Sequence, residues 1–305
     1  MHNNDKNNCR LCEGGRNQDI LSNLVTKYGE CYSLTKCDSC SFVSIYPIPP
    51  EDVLQRYYGQ NYWASGKLKT SAVLNTLYKL RMTKIVTYIR KNTSLDSKIL
   101  DWGCGDGAFL RLIQALGYDC YGIDAYTADS NNPKIIQATI DSTEFPDGFF
   151  DVITCFHVLE HLNDPLRSIK SALKLLKIKG LMIVEVPNLG SLGFQMFKSR
   201  WQPLEIPTHL NHFTSNTLPK LFESVGKTQI VRMEYFSHRI SPSALVLSAF
   251  SSLSPKKIRA KYSGRYPLPL MGLYLILQLL AYPLAVLGSL IHHGEIVRIY
   301  VRKSG

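Results

Sequence analysis

An α/β fold carrying parallel strands is predicted, and two neighbouring segments predict it. KILDWGCGDGAFLRLIQALG (98–117) reads as a short apolar strand, a glycine-rich turn and a helix. YDCYGIDAY (118–126) follows as a second strand that ends on Asp124. A strand that runs through a turn and a helix into another strand is the unit from which parallel sheets are wound.

The elements before that core can be justified in order. The first twenty residues are polar and lack an apolar h-region, so a reducing cytosol is the expected setting. CRLC and CDSC then place Cys9, Cys12, Cys37 and Cys40 in two knuckles with 24 residues between them. A two-residue spacer lets both thiolates of a knuckle face one ion, and two knuckles make a closed tetrahedral sulfur site suited to structural zinc. About 40 residues this poor in apolar side chains do not build a core unaided. Cys31 is a spare thiol that leaves the ligand assignment open. Cys104, Cys120 and Cys155 lie in apolar runs and read as core residues. Residues 46–66 are proline-rich, then aromatic: a linker whose Tyr57, Tyr58, Tyr62 and Trp63 pack on the next domain. Leu74, Leu77, Leu80, Ile85 and Ile89 recur near helical spacing over about 70–91.

The glycine turn has the pattern D-x-G-x-G-x-G at Asp101, Gly103, Gly105 and Gly107. Glycines allow a ligand to approach the backbone, and an acid ending the next strand holds a ribose diol. A carboxylate at Asp101 repels a pyrophosphate but suits a cationic ammonium, and the G-x-G-x-x-G phosphate spacing is absent. The ligand implied has a ribose and a charged amino acid: S-adenosylmethionine (SAM).

With these residues the chain resembles the class I SAM-dependent methyltransferases over about 97–236, and again in EIVRIYVRK (295–303). ILDWGCGDG, YGIDA, FPDGFFDVITCFHVLEHLNDP and GLMIVEVPN occur in the family's order. HVLEHLNDP is characteristic of the branch holding the ubiquinone O-methyltransferases and many methyltransferases of bacterial glycan clusters, where a Cys-rich ribbon and a segment like THLNHF (208–213) are companions. IKG at 178–180 departs from the family's P-G-G. The resemblance implies a Rossmann-like seven-strand sheet with its last strand antiparallel, a small N-terminal zinc ribbon and an apolar helical insert before the last strand. The expected division is 1–45 ribbon, 46–96 linker and lead-in helix, 97–240 SAM-binding core, 241–293 basic and apolar insert, and 294–305 last strand. By motif position, Asp101, Gly103, Gly105 and Gly107 meet the methionine end and the close turn, and Asp124 meets the ribose. Ile140 backbone and Asp141 are expected at the adenine.

An oxygen acceptor needs a base near neutral pH, for which His157, His209 and His212 are the candidates. His157, Glu160 and His161 are spaced i, i+3, i+4, which puts them on one face if a helix begins at His157. Three readings of that motif compete. They are an inverted zinc-protease motif, which the context opposes; a divalent metal near His157/Glu160/His161, which related branches allow; and a plain structural brace. Trp201 is an acceptor platform or a core plug.

The net charge of +11 is concentrated at the end. Residues 241–305 hold eight basic side chains and one acid, so they carry +7 and the first 240 residues only +4. The basic segment KKIRAKYSGR precedes 26 residues, 266–291, without Asp, Glu, Lys or Arg. If 228–236 and 295–303 pair, both ends of the insert return to one sheet, which opposes a single membrane span. A re-entrant hairpin bent near Pro283, an interfacial anchor, or buried or oligomer helices remain, and peripheral membrane contact through 256–293 at the inner face is favoured. The function expected is methyl transfer to a hydroxyl of a small-molecule, sugar or lipid-linked acceptor. The alternatives are an RNA methyltransferase and a non-catalytic SAM-fold scaffold. Against nucleic acid, CFHVLEH stands where an N/D-P-P-aromatic turn would hold a base amine, and the core offers little basic groove.

Overall fold

The computed structural model describes residues 9–12, 14–15, 17–58, 72–127, 134–238, 240–262 and 266–305. Its main body is a seven-stranded sheet. The strands in chain order are β4 (Lys98–Trp102), β5 (Asp119–Asp124), β6 (Ile135–Gln137), β7 (Phe150–Phe156), β8 (Leu176–Pro187), β10 (Thr228–Glu234) and β11 (Ile296–Lys303). They lie side by side as β10-β11-β8-β7-β4-β5-β6. The five central and distal strands β8, β7, β4, β5 and β6 are mutually parallel, and β11 runs antiparallel to both β8 and β10. The expected sheet, with its last strand inserted antiparallel beside the sixth, is therefore the one formed.

Burial on both faces explains why these strands read as near-continuous apolar runs. Ile99, Leu100, Val152, Ile153, Ile183 and Val184 are fully buried. The faces are covered by α2 (Ala72–Asn92) and α3 (Ala108–Gln114) on one side, with Ile85, Ile89, Phe109 and Ile113 in the shared core. On the other side lie α4 (Pro165–Leu175) and α6 (Thr217–Val225), contributing Ile169, Ala172, Leu218, Leu221 and Phe222. Helix α4 starts where its sequence dictates. Asp164 accepts a hydrogen bond from the Arg167 amide at 2.9 Å, and Pro165 occupies the first turn, where no amide is required. The side chains of Leu74, Leu77 and Leu80 lie outside the described residues, as do Tyr62 and Trp63.

A second sheet joins the N-terminal segment to the core. It holds β1 (Asn17–Val25), β2 (Cys31–Cys37), β3 (Val43–Tyr46) and the two-residue β9 (Asn211–His212), in that order. Strand β9 comes from the middle of the core, and pairs Val43 with His212 and Ser44 with Asn211. Leu34, Ile45, Trp201, Leu204 and Leu210 make one buried cluster across this junction. Trp201 is a core residue whose indole N–H donates to Glu295 Oε2 at 2.7 Å. Helix α1 (Glu51–Tyr58) follows β3; its Tyr57 donates to Glu30 at 2.7 Å, and its Tyr58 is buried against the core.

Between β10 and β11 the chain forms α7 (Ile240–Ala249), α8 (Pro255–Lys261) and α9 (Leu268–Leu290). Helix α9 packs beside α7, with Ser243 and Tyr274 hydroxyls 2.6 Å apart. It runs unbroken through Pro283, so the chain reverses direction before α9 and not at that proline.

Candidate functional site

The carboxyl ends of β4, β5 and β7 meet where the strand order reverses, since the chain moves outward from β4 to β5 and β6 and then returns to β7 on the other side. Ligands of open α/β sheets bind in the crevice at such a point. Asp101 and Asp124 both lie there, 3% and 5% exposed. Asp124 Oδ2 accepts the Gly105 amide at 3.0 Å, and its Oδ1 accepts the amides of Tyr126 (2.9 Å) and Thr127 (3.0 Å). Asp101 accepts the Thr154 hydroxyl at 2.8 Å. Burial pushes the Asp101 carboxyl up to about 7; Thr154 works against the rise and the Asp124 charge adds to it.

Two glycines show why the turn is written as it is. Gly103 has φ +78°, and a Cβ there would stand 2.2 Å from Val158 Cγ2. Gly105 has φ +52° with nothing within 4 Å of a built Cβ, so the backbone is open to an incoming group. Gly107 sits at the start of α3, against Ile135. Ile140 is buried, and the Asp141 carboxylate accepts the hydroxyls of Ser168 (3.1 Å) and Ser171 (2.6 Å), one turn apart on α4.

The second half of the site follows β7. No α-helix begins at His157, which has φ +58°; a short 3-10 turn over Leu159–His161 stands there instead. His157 is nevertheless brought to Glu160, with Nδ1 3.2 Å from Glu160 Oε1 and Nε2 3.0 Å from Glu185 Oε1. Burial opposes charge on His157, but hydrogen bonds to the two carboxylates outweigh it and raise the imidazole to about 9. His157 is thus an imidazolium at neutral pH. Glu185 is also held by Arg298, whose Nη1 donates to Glu234 Oε2 at 2.5 Å, and Glu234 accepts the Tyr300 hydroxyl at 3.0 Å. Sequence reading missed this buried chain. Its signal was available: a lone Glu in MIVEVP and a lone Arg in IVRIYV, each inside an apolar strand, which the β8–β11 register sets opposite one another.

His161, His209 and His212 gather beside Glu160. The His161 and His209 ring centroids are 4.6 Å apart, and those of His209 and His212 6.4 Å. Burial, reinforced by His209, holds His161 down to about 4 and His212 down to about 3. Two segments 48 residues apart in sequence are laced to make this cluster. The Leu210 amide donates to the Glu160 carbonyl at 2.7 Å, and the Asn211 side chain donates to the carbonyls of Leu159 (3.1 Å) and Leu162 (2.7 Å). Tyr58 closes one side: its hydroxyl is 3.1 Å from His161 Nδ1, and its ring lies 5.1 Å from that of Tyr126, two residues past Asp124.

The four expected cysteines also converge. Cys9 and Cys40 sulfurs are 3.4 Å apart, Cys12 and Cys37 sulfurs 3.7 Å, and all four lie within 4.8 Å of one another. Tetrahedral zinc with Zn–S bonds of about 2.3 Å sets its sulfurs about 3.8 Å apart, so the set fits that ion. Cys31 is exposed and outside the cluster. The cluster leans on the histidine segment, because Arg10 donates to Asn211 at 3.2 Å and Phe42 packs on Phe213.

The doubly wound sheet with paired carboxylates at its reversal point places the chain among the open α/β folds whose ligand crevice lies at that point. Residues 75–229, half of the chain, match a protein family described as "Methyltransferase domain", and the chain belongs to that family. It is 34% identical over 111 residues to the ubiquinone biosynthesis O-methyltransferase of Colwellia psychrerythraea, covering 32% of this chain and 45% of that protein. It is 29% identical over 145 residues to a probable S-adenosylmethionine-dependent methyltransferase of Mycobacterium tuberculosis, covering 45% and 51%. The chain thus spans about half the length of the curated relatives it matches. Among solved structures, a SAM-dependent methyltransferase from Archaeoglobus fulgidus superposes with a TM-score of 0.49 at 18% identity, covering 75% of this chain and 94% of that one.

Proposed function

We propose that this chain transfers the methyl group of SAM to a hydroxyl of a small-molecule, sugar or lipid-linked acceptor. The observation that carries the reading is the pairing of Asp101 and Asp124 across the open Gly105 turn at the sheet's reversal point. Asp124 would take the ribose hydroxyls, Asp101 the ammonium, and Gly103 and Gly105 the close approach of the methionine end. The Asp141 carboxylate is engaged by two serines, which leaves the adenine to the backbone about Ile140.

Methyl transfer from a sulfonium is an in-line displacement: the acceptor oxygen bonds to carbon, and sulfur keeps the electron pair of the broken bond. The protein has to align the two and receive the acceptor's proton. His157 has both ring nitrogens committed to carboxylates, so its part is to fix Glu160. Acceptor activation is assigned to His209 and His212, on the wall that also carries His161 and Tyr58. Four thiolates at Cys9, Cys12, Cys37 and Cys40 would hold a structural zinc that braces this wall. Calorimetry with SAM is the test. The native chain should bind it, and Asp124→Ala should weaken binding by about 100-fold or more while the fold persists, since one buried charge-assisted pair is removed. Equal affinity in both proteins would remove the basis of the reading.

Helix α9 supports a further element of this function, peripheral membrane contact. It is the one helix among the described residues that is long and apolar enough to cross a bilayer, about 34 Å. Its outer face carries Leu273, Ile276, Leu280, Leu284 and Leu287, all exposed. A surface helix ordinarily turns its polar side outward. No Asp or Glu occurs from 235 to 294, and α8 supplies Lys257, Arg259 and Lys261. Because β10 and β11 pair antiparallel, α9 returns to the sheet the chain left, which suits lying on a membrane and not crossing it. Cosedimentation with anionic phospholipid vesicles should exceed that with zwitterionic ones, and Leu280→Lys should abolish it. Failure of the native chain to sediment with either would remove the membrane from the proposal.

A further inference from the structure

We propose that Cys12 and Cys37 form a peroxide-sensitive modification site, whose oxidation opens the cysteine centre and slackens the histidine wall. The proposal rests on the zinc reading given above for the four thiolates, and adds to it a covalent reaction and its consequence.

The four sulfurs are not equivalent. Cys9 and Cys37 are buried, Cys40 is half-buried, and Cys12 is exposed. A small oxidant from solvent therefore meets Cys12 first, because thiolate oxidation follows exposure. The sulfur of Cys37 stands 3.7 Å away, close enough for the two to join once the side chains rotate. The Gly14 carbonyl lies 3.2 Å from the Cys12 sulfur and 3.3 Å from that of Cys37, so one turn of backbone holds both. That turn is tight: Gly15 has φ +94°, and a Cβ there would stand 3.1 Å from the Cys37 sulfur. The other pair, Cys9 and Cys40, has its sulfurs 3.4 Å apart, but Cys9 belongs to the main core cluster with Phe42, Phe213 and Leu218. Packing thus shields one pair and leaves the other open at the surface.

The reaction needs a hydroperoxide and no further reagent. The Cys12 thiolate attacks the terminal peroxide oxygen, the O–O bond breaks, and the departing oxygen takes a proton from solvent. Cys12 is then a sulfenic acid. The Cys37 thiolate attacks its sulfur, an S–S bond forms, and hydroxide leaves and is protonated to water. The two thiolates have given up two electrons between them, and the peroxide is reduced to an alcohol (water, for hydrogen peroxide) and a further water. Cys9 and Cys40 then remain alone as ligands, and half of a tetrahedral set does not retain the ion.

The consequence follows from what the ribbon holds. Arg10 lies between the two cysteines of the first knuckle and donates to Asn211 Oδ1 at 3.2 Å. The Asn211 amide donates in turn to the Leu159 and Leu162 carbonyls, which ties the His209 and His212 segment to the turn after β7. Strand β3, just past Cys40, pairs Val43 with His212, and Lys220 of α6 donates to the Cys40 carbonyl at 3.1 Å. Freeing Cys12 from the ion releases the turn that carries Arg10, so the link to Asn211 fails first. The Asp101 and Asp124 half takes its shape from the β4–β5 register and from the Asp124 bonds to Gly105, Tyr126 and Thr127. Oxidation therefore stops the acceptor step while the donor stays bound.

The test uses the full chain as isolated, with hydrogen peroxide as the probe. Zinc release is followed with a chromophoric chelator, disulfides by mass spectrometry after differential alkylation, and the wall by amide hydrogen exchange. Peroxide should release about one equivalent of zinc and make the bond between Cys12 and Cys37 the first disulfide. Exchange across 209–213 should quicken by about tenfold or more, while SAM affinity stays within about twofold. Dithiothreitol with added zinc should restore both the ion and the slow exchange. Arg10→Met should keep its zinc and show the faster exchange before any peroxide is added. Cys31→Ser, which removes the exposed thiol outside the cluster, should behave as native. A native chain that is isolated without zinc and takes none up would overturn the zinc reading and the switch with it. Zinc that survives peroxide, a first disulfide that uses Cys31, or unchanged exchange across 209–213 after the ion has gone would each overturn the switch and leave the zinc reading standing.

Discussion

Asp101 and Asp124 stand 23 residues apart on adjacent parallel strands, while Glu160 and His209 stand 49 residues apart and meet through a two-residue strand and one asparagine. The first pair is positioned by a strand, a turn and a helix that are contiguous in sequence, and its geometry follows from the sheet register. The second is positioned by a ring of side chain to backbone hydrogen bonds, supported from outside by the cysteine ribbon and from below by the Arg298 chain. One half is a property of a local motif; the other is a property of the tertiary structure. The two touch where Val158 fills the space over Gly103, and again through Tyr58, which meets both His161 and Tyr126.

That contrast can be broken deliberately. Replacing Arg298 by Met leaves the buried Glu185 with only His157 to offset its charge, while the half-buried Glu234 keeps Arg232, and should cost about 3–5 kcal/mol in urea unfolding. The loss should fall on the histidine half first, releasing His157 and Glu160, with SAM affinity in the surviving folded protein little changed. Gly103→Ala should reach both halves. A left-handed φ of +78° and the 2.2 Å approach to Val158 together should cost about 2–4 kcal/mol in urea unfolding and weaken SAM binding as well. If only SAM binding suffers, the halves are more independent than their contact implies.

The smallest effect concerns pH and isolates the glycine half. In the folded, ligand-free chain Asp101 is raised from 3.8 to about 7, so at pH 6 it holds a proton that the unfolded chain releases. Stability from this group therefore declines as pH rises through about 7. An ammonium beside it favours the carboxylate, so SAM binding should release a proton below that pH. Affinity should improve by up to about tenfold from pH 6 to 7 and level off above. Asp101→Asn should bind more weakly and show no such slope. A slope that persists in the variant would assign the titration elsewhere.

What could be read in the sequence follows the same division. The glycine turn and Asp124 were legible because each is encoded within a few consecutive residues, whereas the seven-strand sheet with its antiparallel last strand was what the family resemblance implied. His157, Glu160 and His161 were legible as residues but not in their arrangement. Helical spacing suggested one shared face, whereas the positive φ at His157 turns it toward Glu185 and leaves His209 to join the other two. Glu185 and Arg298 were hidden because a charge within an apolar strand carries no label for its partner, which lies 113 residues away. The apolar stretch 266–291 was plain, but its placement needed the pairing of the strands on either side of it.

The joining of β3 to β9 has a consequence for how the chain is made. Strand β3 ends at Tyr46, and its neighbour begins at Asn211, 165 residues later. At about 5–20 residues per second, a ribosome takes about 8–33 s to cover that interval. Throughout it β3 presents an unpaired edge, the kind of surface on which nascent chains mispair. Its proper partner is the segment that also carries His209 and His212. Completing the first sheet and assembling the histidine wall are therefore a single late event in the life of the polypeptide.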